Sequence, residues 1–301
     1  MHGRHCMEPI LIHSSSLSRR SLLKMTPALA LSSSLHGFAA TPEDEFAAME
    51  QRMGIRLGVA AIAAGSGRGL SHRGDELFPM CSTSKLLLAA CVLSKVDAGT
   101  EQLKRPISYS EKDLLEYAPV TKAHVKEGAL PVGELCAAAV EVSDNTAANL
   151  LLAQVGGPVG VTKFIRSLGN AVTRLDRTEP ELNTALPGDP RDTTSPKAMV
   201  DSMKALLAGT ILSTPSQELL ISWLEKCETG DNRLRAGIPE DWRAGDKTGT
   251  GENGAIGDVG IFWPPGKGPI LIAAYVLGGS APRAEREQAI ASAARVVVRA
   301  W

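Results

Sequence analysis

Met80–Leu93 reads MCSTSKLLLAACVL: a serine, a lysine three residues later, then eight apolar residues in succession. Leu86 to Leu93 are apolar on every face of a helix, the pattern of a helix buried all round. Ser82 opens that helix, where backbone N–H groups and the positive end of the helix dipole stabilise negative charge developing on an attacked carbonyl. Lys85, one turn on, shares its face. Burial lowers an amine pKa toward the range where the nitrogen can take a serine proton. The plainer reading is a capping serine and a lysine whose stem lies on the surface. Ser-x-x-Lys alone arises by chance about once per 300 residues, and Ser21-Leu22-Leu23-Lys24 is such an accident.

Two further triplets change the weight of the first. Ser143-Asp144-Asn145 begins a second helix, and Lys247-Thr248-Gly249 lies on a strand before a hairpin. Each has roughly a 5 to 7% chance of occurring in a chain of this length, and the three appear in this order. Between them, Glu179-Pro180-Glu181-Leu182-Asn183 sits in a long irregular stretch bounded by Arg177 and Asp192. Such stretches are functional or disordered. An Arg177 to Asp192 ion pair across the neck is the sign of order to look for.

Outward from these motifs, the chain ends mirror each other. Thr41-Pro42-Glu43-Asp44-Glu45 carries a cap, a proline and an acidic first turn, starting a helix that runs to about Met53. Ile55 to Ala64 is a strand, followed by a glycine-rich turn. Near the other end, Asp258 to Trp263 and Ile270 to Gly278 flank Pro264-Pro265-Gly266, and a helix closes the chain from Pro282 to Ala300. The stretch from 75 to 226 is mostly helical, including Val132 to Val142 and Asn145 to Gln154. Both ends are expected to share one antiparallel sheet (41–75 and 227–301), with 76–226 inserted as a helical domain and the site at their seam.

Residues 1–40 are expected to leave the mature chain. Ser18-Arg19-Arg20-Ser21-Leu22-Leu23-Lys24 is a twin-arginine export pattern, with an apolar run ending at Gly37-Phe38-Ala39-Ala40. The destination is periplasmic or extracellular. No segment reaches the roughly 18 apolar residues of a membrane span. Without the leader, 28 Lys plus Arg face 32 Asp plus Glu, which offers no basic field for nucleic acid. Only His72 and His124 remain, and neither lies in an HExxH pattern or beside a GxSxG elbow. A zinc hydrolase and a Ser-His-Asp hydrolase are both disfavoured. Cys81, Cys91, Cys136 and Cys227 lack CxxC spacing and read as buried thiols.

With these residues in view, the chain resembles the class A serine β-lactamases over essentially its whole mature length. Glu116-Tyr117-Ala118-Pro119-Val120-Thr121, Gly230-Asp231-Asn232-Arg233-Leu234-Arg235 and Asp246 before Lys247 add to the likeness, and Met80 to Lys85 is similar to the extended-spectrum cefotaximase branch. The resemblance implies a five-stranded antiparallel sheet flanked by helices, α/β plus all-α, and a monomer that acts on small-molecule β-lactams without metal or cofactor. It implies that Ser82 attacks the lactam carbonyl, with Lys85, or Glu179 through water, removing its proton. Backbone N–H groups of Ser82 and Thr250 form the oxyanion hole, Ser143 protonates the departing nitrogen, and Asn145 binds the side-chain amide. Lys247, Thr248, Gly249 and Arg233 belong to the strand side that holds the substrate carboxylate, Tyr117 walls the pocket, and Glu179 with Asn183 positions the hydrolytic water.

Three departures stand out. Many members carry an arginine near Ile256; here Arg233 supplies that charge. Cys227 stands where relatives carry a polar group. The carbapenem-hydrolysing branch pairs the cysteine before its serine with a second one, at the position of Gly251 here. A D,D-peptidase shares the serine and lysine motifs but lacks a deacylating glutamate, and a covalent β-lactam sensor needs a membrane segment.

Overall fold

The structure, a computed structural model, describes residues 40–301; the twin-arginine pattern lies outside the described residues. In chain order the first part comprises α1 (Pro42–Met53), β1 (Arg56–Ala63), β2 (Gly69–His72), β3 (Phe78–Pro79), α2 (Ser84–Asp97), β4 (Pro106–Ser108), α3 (Pro119–Ala123) and β5 (Ala129–Pro131). Then follow α4 (Val132–Glu141), α5 (Asn145–Gln154), α6 (Gly157–Ser167), β6 (Thr193–Thr194), α7 (Pro196–Leu207) and α8 (Thr214–Glu225). The chain closes with β7 (Arg243–Thr250), β8 (Ile256–Trp263), β9 (Ile270–Leu277) and α9 (Arg283–Ala300).

The main sheet has five strands in the order β2-β1-β9-β8-β7, every pairing antiparallel, so strands from both chain ends make it. The start of α1 is as the sequence predicts: the Thr41 hydroxyl accepts from Asp44 N while the Asp44 carboxylate accepts from Thr41 N, a reciprocal cap. Two short pairs, β3 with β6 and β4 with β5, lie outside the five-stranded sheet. They are too short to show as alternating runs in sequence.

β9 explains how the sheet is held. Ile270, Ile272, Ala274 and Val276 face a core shared with Phe46 of α1 and with Ile290 and Val297 of α9. Leu271, Ala273 and Tyr275 face the opposite core, shared with α2, α4, α5, α7 and α8. A strand covered on both faces reads as one continuous apolar run. The α2 run behaves as expected, since every residue from Ser84 to Leu93 is buried. Each fully buried leucine there stabilises the fold by about 1.5–3 kcal/mol, and that anchors the turn preceding it.

One detail differs from expectation. Ser82 is not the first residue of the α-helix but the middle of a 3-10 turn, Cys81–Thr83, with α2 starting at Ser84. Cys81 has a positive φ of 47°, a conformation strained for a residue with a β-carbon. Its thiol is buried and makes no disulfide. The kink and the 3-10 turn together set the orientation of the serine, a geometry that no periodicity encodes.

Candidate active site

Four residues from three segments converge on Lys85. Its Nζ lies 3.0 Å from Ser82 Oγ, 2.9 Å from Ser143 O, 3.2 Å from Ser143 Oγ and 2.5 Å from Asn145 Oδ1. It also lies 2.9 Å from Glu179 Oε1, where both side chains are closed to solvent. Five oxygens thus surround a nitrogen that can donate at most three hydrogen bonds. Ser143 O and Asn145 Oδ1 can only accept, so they take two N–H groups. The remaining direction faces the Ser82 hydroxyl and the Glu179 carboxylate. Burial holds the Lys85 amine below its ordinary pKa, against the opposing pull of Glu179.

The Ser143 motif is held by its neighbour. Ser143 itself has φ 62°, again left-handed, while Asp144 caps α5 by accepting from Ala147 N at 2.8 Å. The same buried carboxylate accepts from Val120 N, Thr121 N and the Thr121 hydroxyl, which ties α3 to α5. Asn145 N donates to Tyr117 O, so the half-exposed Tyr117 ring is set beside the cleft by this motif.

Glu179 is placed by a residue that the sequence reading missed. Asn149 Oδ1 accepts from Glu179 N at 2.9 Å and Asn149 Nδ2 donates to Glu179 O at 2.8 Å. Asn149 is four residues after Asn145 on α5, a same-face spacing that could have pointed to it. The neck pair is present: Arg177 Nε meets Asp192 Oδ2 at 2.5 Å, and Asp192 also accepts from the amides of residues 176 and 177. Within the loop, Asn183 Nδ2 donates to Glu179 Oε2 at 2.5 Å. Asn183 Oδ1 and Glu179 Oε1 are buried with no hydrogen-bond partner among the described residues; the Lys85 contact to Oε1 is close but poorly directed.

The opposite wall is β7. A β-carbon at Gly249 would lie 2.6 Å from Met80 O and 3.1 Å from Thr83 N, so only glycine lets the strand reach the turn carrying Ser82. One at Gly251 would lie 2.6 Å from both Asn183 O and Cys81 Sγ. The strand end therefore packs against the loop and the cysteine at once. Lys247 is fully buried, its Nζ donating to Thr248 O at 3.1 Å, and burial brings its pKa down to about 8. Beneath it, Asp246 and Asp258 are buried on diagonal positions of β7 and β8. Burial, and then the charge of Asp246, raises Asp258 well above the ordinary carboxylate range.

Arg233 differs from the role the resemblance implies. Its Nη1 donates to Gly249 O at 2.7 Å and Gly257 O at 2.8 Å, and its Nη2 to Thr250 Oγ1 at 2.7 Å. Nη2 and Nε both reach Glu287 Oε1, at 3.2 and 3.3 Å. All five N–H donors are engaged, so its charge reaches the cleft through the Thr250 hydroxyl. A cavity of about 310 Å³ lies between these walls, lined by Ser82, Tyr117, Ser143, Asn145, Asn183, Thr248 and Thr250, with Thr229, Arg233 and Arg283 at one end. Lys85, Glu179, Lys247 and Gly249 stand behind that lining. Thr229 and Arg283 were not anticipated. Thr229 Oγ1 lies 2.5 Å from Thr248 Oγ1 and 3.3 Å from Cys227 Sγ, so the departure at position 227 ends in a threonine link.

A serine held by a buried lysine, a second serine and a buried glutamate, on a sheet made from both chain ends, defines a serine acyl-transfer enzyme of the class A β-lactamase fold. The chain belongs to the beta-lactamase enzyme family, whose model matches residues 41–301. It is similar to beta-lactamase AST-1 of Nocardia asteroides, 46% identical over 260 residues, covering 86% of this chain and 84% of that one. The carbapenem-hydrolyzing beta-lactamase KPC of Klebsiella oxytoca is 43% identical, with 94% and 97% covered. Among solved structures, the last common ancestor of Gram-negative bacteria (GNCA4) class A beta-lactamase superposes with TM-score 0.85 at 54% identity, covering 87% of this chain and 99% of that one. The function is that of a class A serine β-lactamase, a hydrolase.

Proposed function

We propose that Ser82 opens the β-lactam amide of penicillins and cephalosporins as a covalent ester and that Glu179 directs its hydrolysis, giving resistance to these drugs. Lys85, in the fraction of molecules where its amine is neutral, takes the Ser82 proton directly, since Ser82 Oγ is 3.0 Å from its nitrogen. The new Oγ–C bond drives charge onto the carbonyl oxygen, which the backbone N–H groups of Ser82 and Thr250 stabilise. The C–N bond breaks as the proton passes from Lys85 through Ser143 Oγ to the lactam nitrogen. A water between Glu179 Oε1 and Asn183 Oδ1 then gives its proton to Glu179, attacks the ester carbon and releases Ser82 Oγ. The proton returns through Lys85.

One observation carries this reading: Lys85 Nζ touches both Ser82 Oγ and Glu179 Oε1, so nucleophile and deacylating base are one hydrogen-bond length from the same atom. At the other end, Thr248 and Thr250 hydroxyls bind the substrate carboxylate, with Lys247 and Arg233 as charges behind them. Asn145 takes the side-chain amide, and Tyr117 covers it. The cleft is the seam between the sheet lobe (41–75 and 227–301) and the helical lobe (76–226). The mature protein works as a monomer outside the inner membrane, exported by the twin-arginine route. No described helix is long and apolar enough to cross a membrane. The test is a chromogenic cephalosporin: steady turnover is expected, whereas one stoichiometric burst followed by silence means a penicillin-binding peptidase or sensor.

A further inference from the structure

Two arginines line one end of the cleft, and they are not equivalent. Arg233 is buried with all five donors engaged, as described above. Arg283 is 63% exposed, and its one hydrogen bond among the described residues runs from Nε to Glu287 Oε1 at 3.0 Å. Both terminal nitrogens of its guanidinium therefore remain able to donate. Lys247 offers no alternative, being buried behind Thr248. Arg283 is the lining cation with unengaged donors.

The position of Arg283 in its helix does not account for it. It is the first residue of α9, where the helix dipole disfavours a positive charge. Its pair with Glu287 runs Arg to Glu at i,i+4, the less favourable order. Glu287 has a second, buried partner in Arg233. The chain Arg283–Glu287–Arg233–Thr250 fixes which end of the cleft the exposed cation occupies. That end is where the carboxylate binds in the function proposed above, on which this inference rests.

In a cephalosporin the carbon bearing the carboxylate is bonded to C3, so the C3 substituent leaves the cleft on this side. We propose that Arg283 is a specificity-determining residue that favours β-lactams carrying a negative charge on the C3 substituent. It adds a solvent-exposed attraction to the substituent and plays no part in proton transfer.

Cefotaxime and ceftriaxone test this directly. They share one oxyimino side chain, but C3 carries a neutral acetoxymethyl group in the first and an acidic triazine, ionised near neutrality, in the second. The readout is the ratio of kcat/KM for ceftriaxone to that for cefotaxime. Arg283→Gln is expected to lower this ratio by about three- to five-fold, the range of an exposed ion pair. Arg283→Glu should lower it further, Arg283→Lys should largely preserve it, and the loss should shrink as sodium chloride is raised. Thermal melting of each variant verifies folding. Equal falls for both drugs, or a ratio insensitive to the sign at position 283, would mean that Arg283 serves only its ion pair with Glu287. A parent enzyme that turns over neither compound would overturn the site reading itself, and this proposal with it.

Discussion

Lys85 and Arg233 are both buried cations against the same cleft, yet their surroundings are opposite. Lys85 meets five oxygens with at most three hydrogens. Arg233 spends its five N–H groups on four acceptor atoms, and no donor is left over. An over-subscribed amine can exchange protons among its neighbours at little cost, because several arrangements are nearly equivalent. A saturated guanidinium holds one arrangement and resists change. The first pattern marks the place where protons move; the second marks the scaffold that keeps two strands and a helix in register. The loose ends around the lysine, Glu179 Oε1 and Asn183 Oδ1, fall on the side where a reacting molecule is needed.

Exchanging each cation for an apolar residue of similar size should separate the two roles most widely. Lys85→Met is expected to lower kcat by about 10³- to 10⁴-fold at a smaller cost in melting temperature than Arg233→Met, because the Glu179 carboxylate it leaves behind keeps its hydrogen bond from Asn183. Initial rates and calorimetry on one preparation measure both. Arg233→Met should show the reverse emphasis. It strands two carbonyls, a hydroxyl and the Glu287 carboxylate, at a cost of about 3–5 kcal/mol, read by urea denaturation, with KM rising through displacement of Thr250. If both variants lost stability equally, the contrast would fail.

Lys247 lies between these extremes, and pH sharpens its role. With burial lowering its pKa to about 8, it is charged below that value and neutral above. Its attraction for a substrate carboxylate is therefore present at lower pH and lost as pH rises through 8. We expect kcat/KM to fall about tenfold per unit above pH 8 for carboxylate-bearing substrates, and to stay level for an esterified one. A parallel fall for the ester would point to a different group. The smallest effect is expected at Thr229→Val, which removes the hydroxyl beside Thr248. A rise in KM of about three- to five-fold, with kcat held, is the expected outcome.

Much of this was legible in the sequence. The bounds of α5, the cap of α1, the burial of α2 and the Arg177–Asp192 pair follow from local chemistry: a capping carboxylate, an apolar run, and two opposite charges at a loop's neck. The resemblance supplied which residues share the cleft. What escaped was set by tertiary approach. The 3-10 turn at Ser82 depends on the strained Cys81 and on β7 closing over it at Gly249. Saturation of Arg233 needs carbonyls from two strands, and Asn149 acts on a loop thirty residues away. The first leaves no periodic trace, and the second leaves only the i,i+4 spacing of Asn149 from Asn145. Thr229 and Arg283 join the lining through residues distant in the chain.

The central claim is that Glu179 is needed to empty the ester on Ser82 and not to form it. Intact-protein mass spectrometry of Glu179→Ala, mixed with a penicillin and sampled over minutes, addresses this directly. The account predicts a persistent one-to-one adduct, mapped to Ser82 by peptide digestion, while the parent enzyme returns to its free mass. A variant that never acquires the adduct, or that clears it as fast as the parent, would contradict the account.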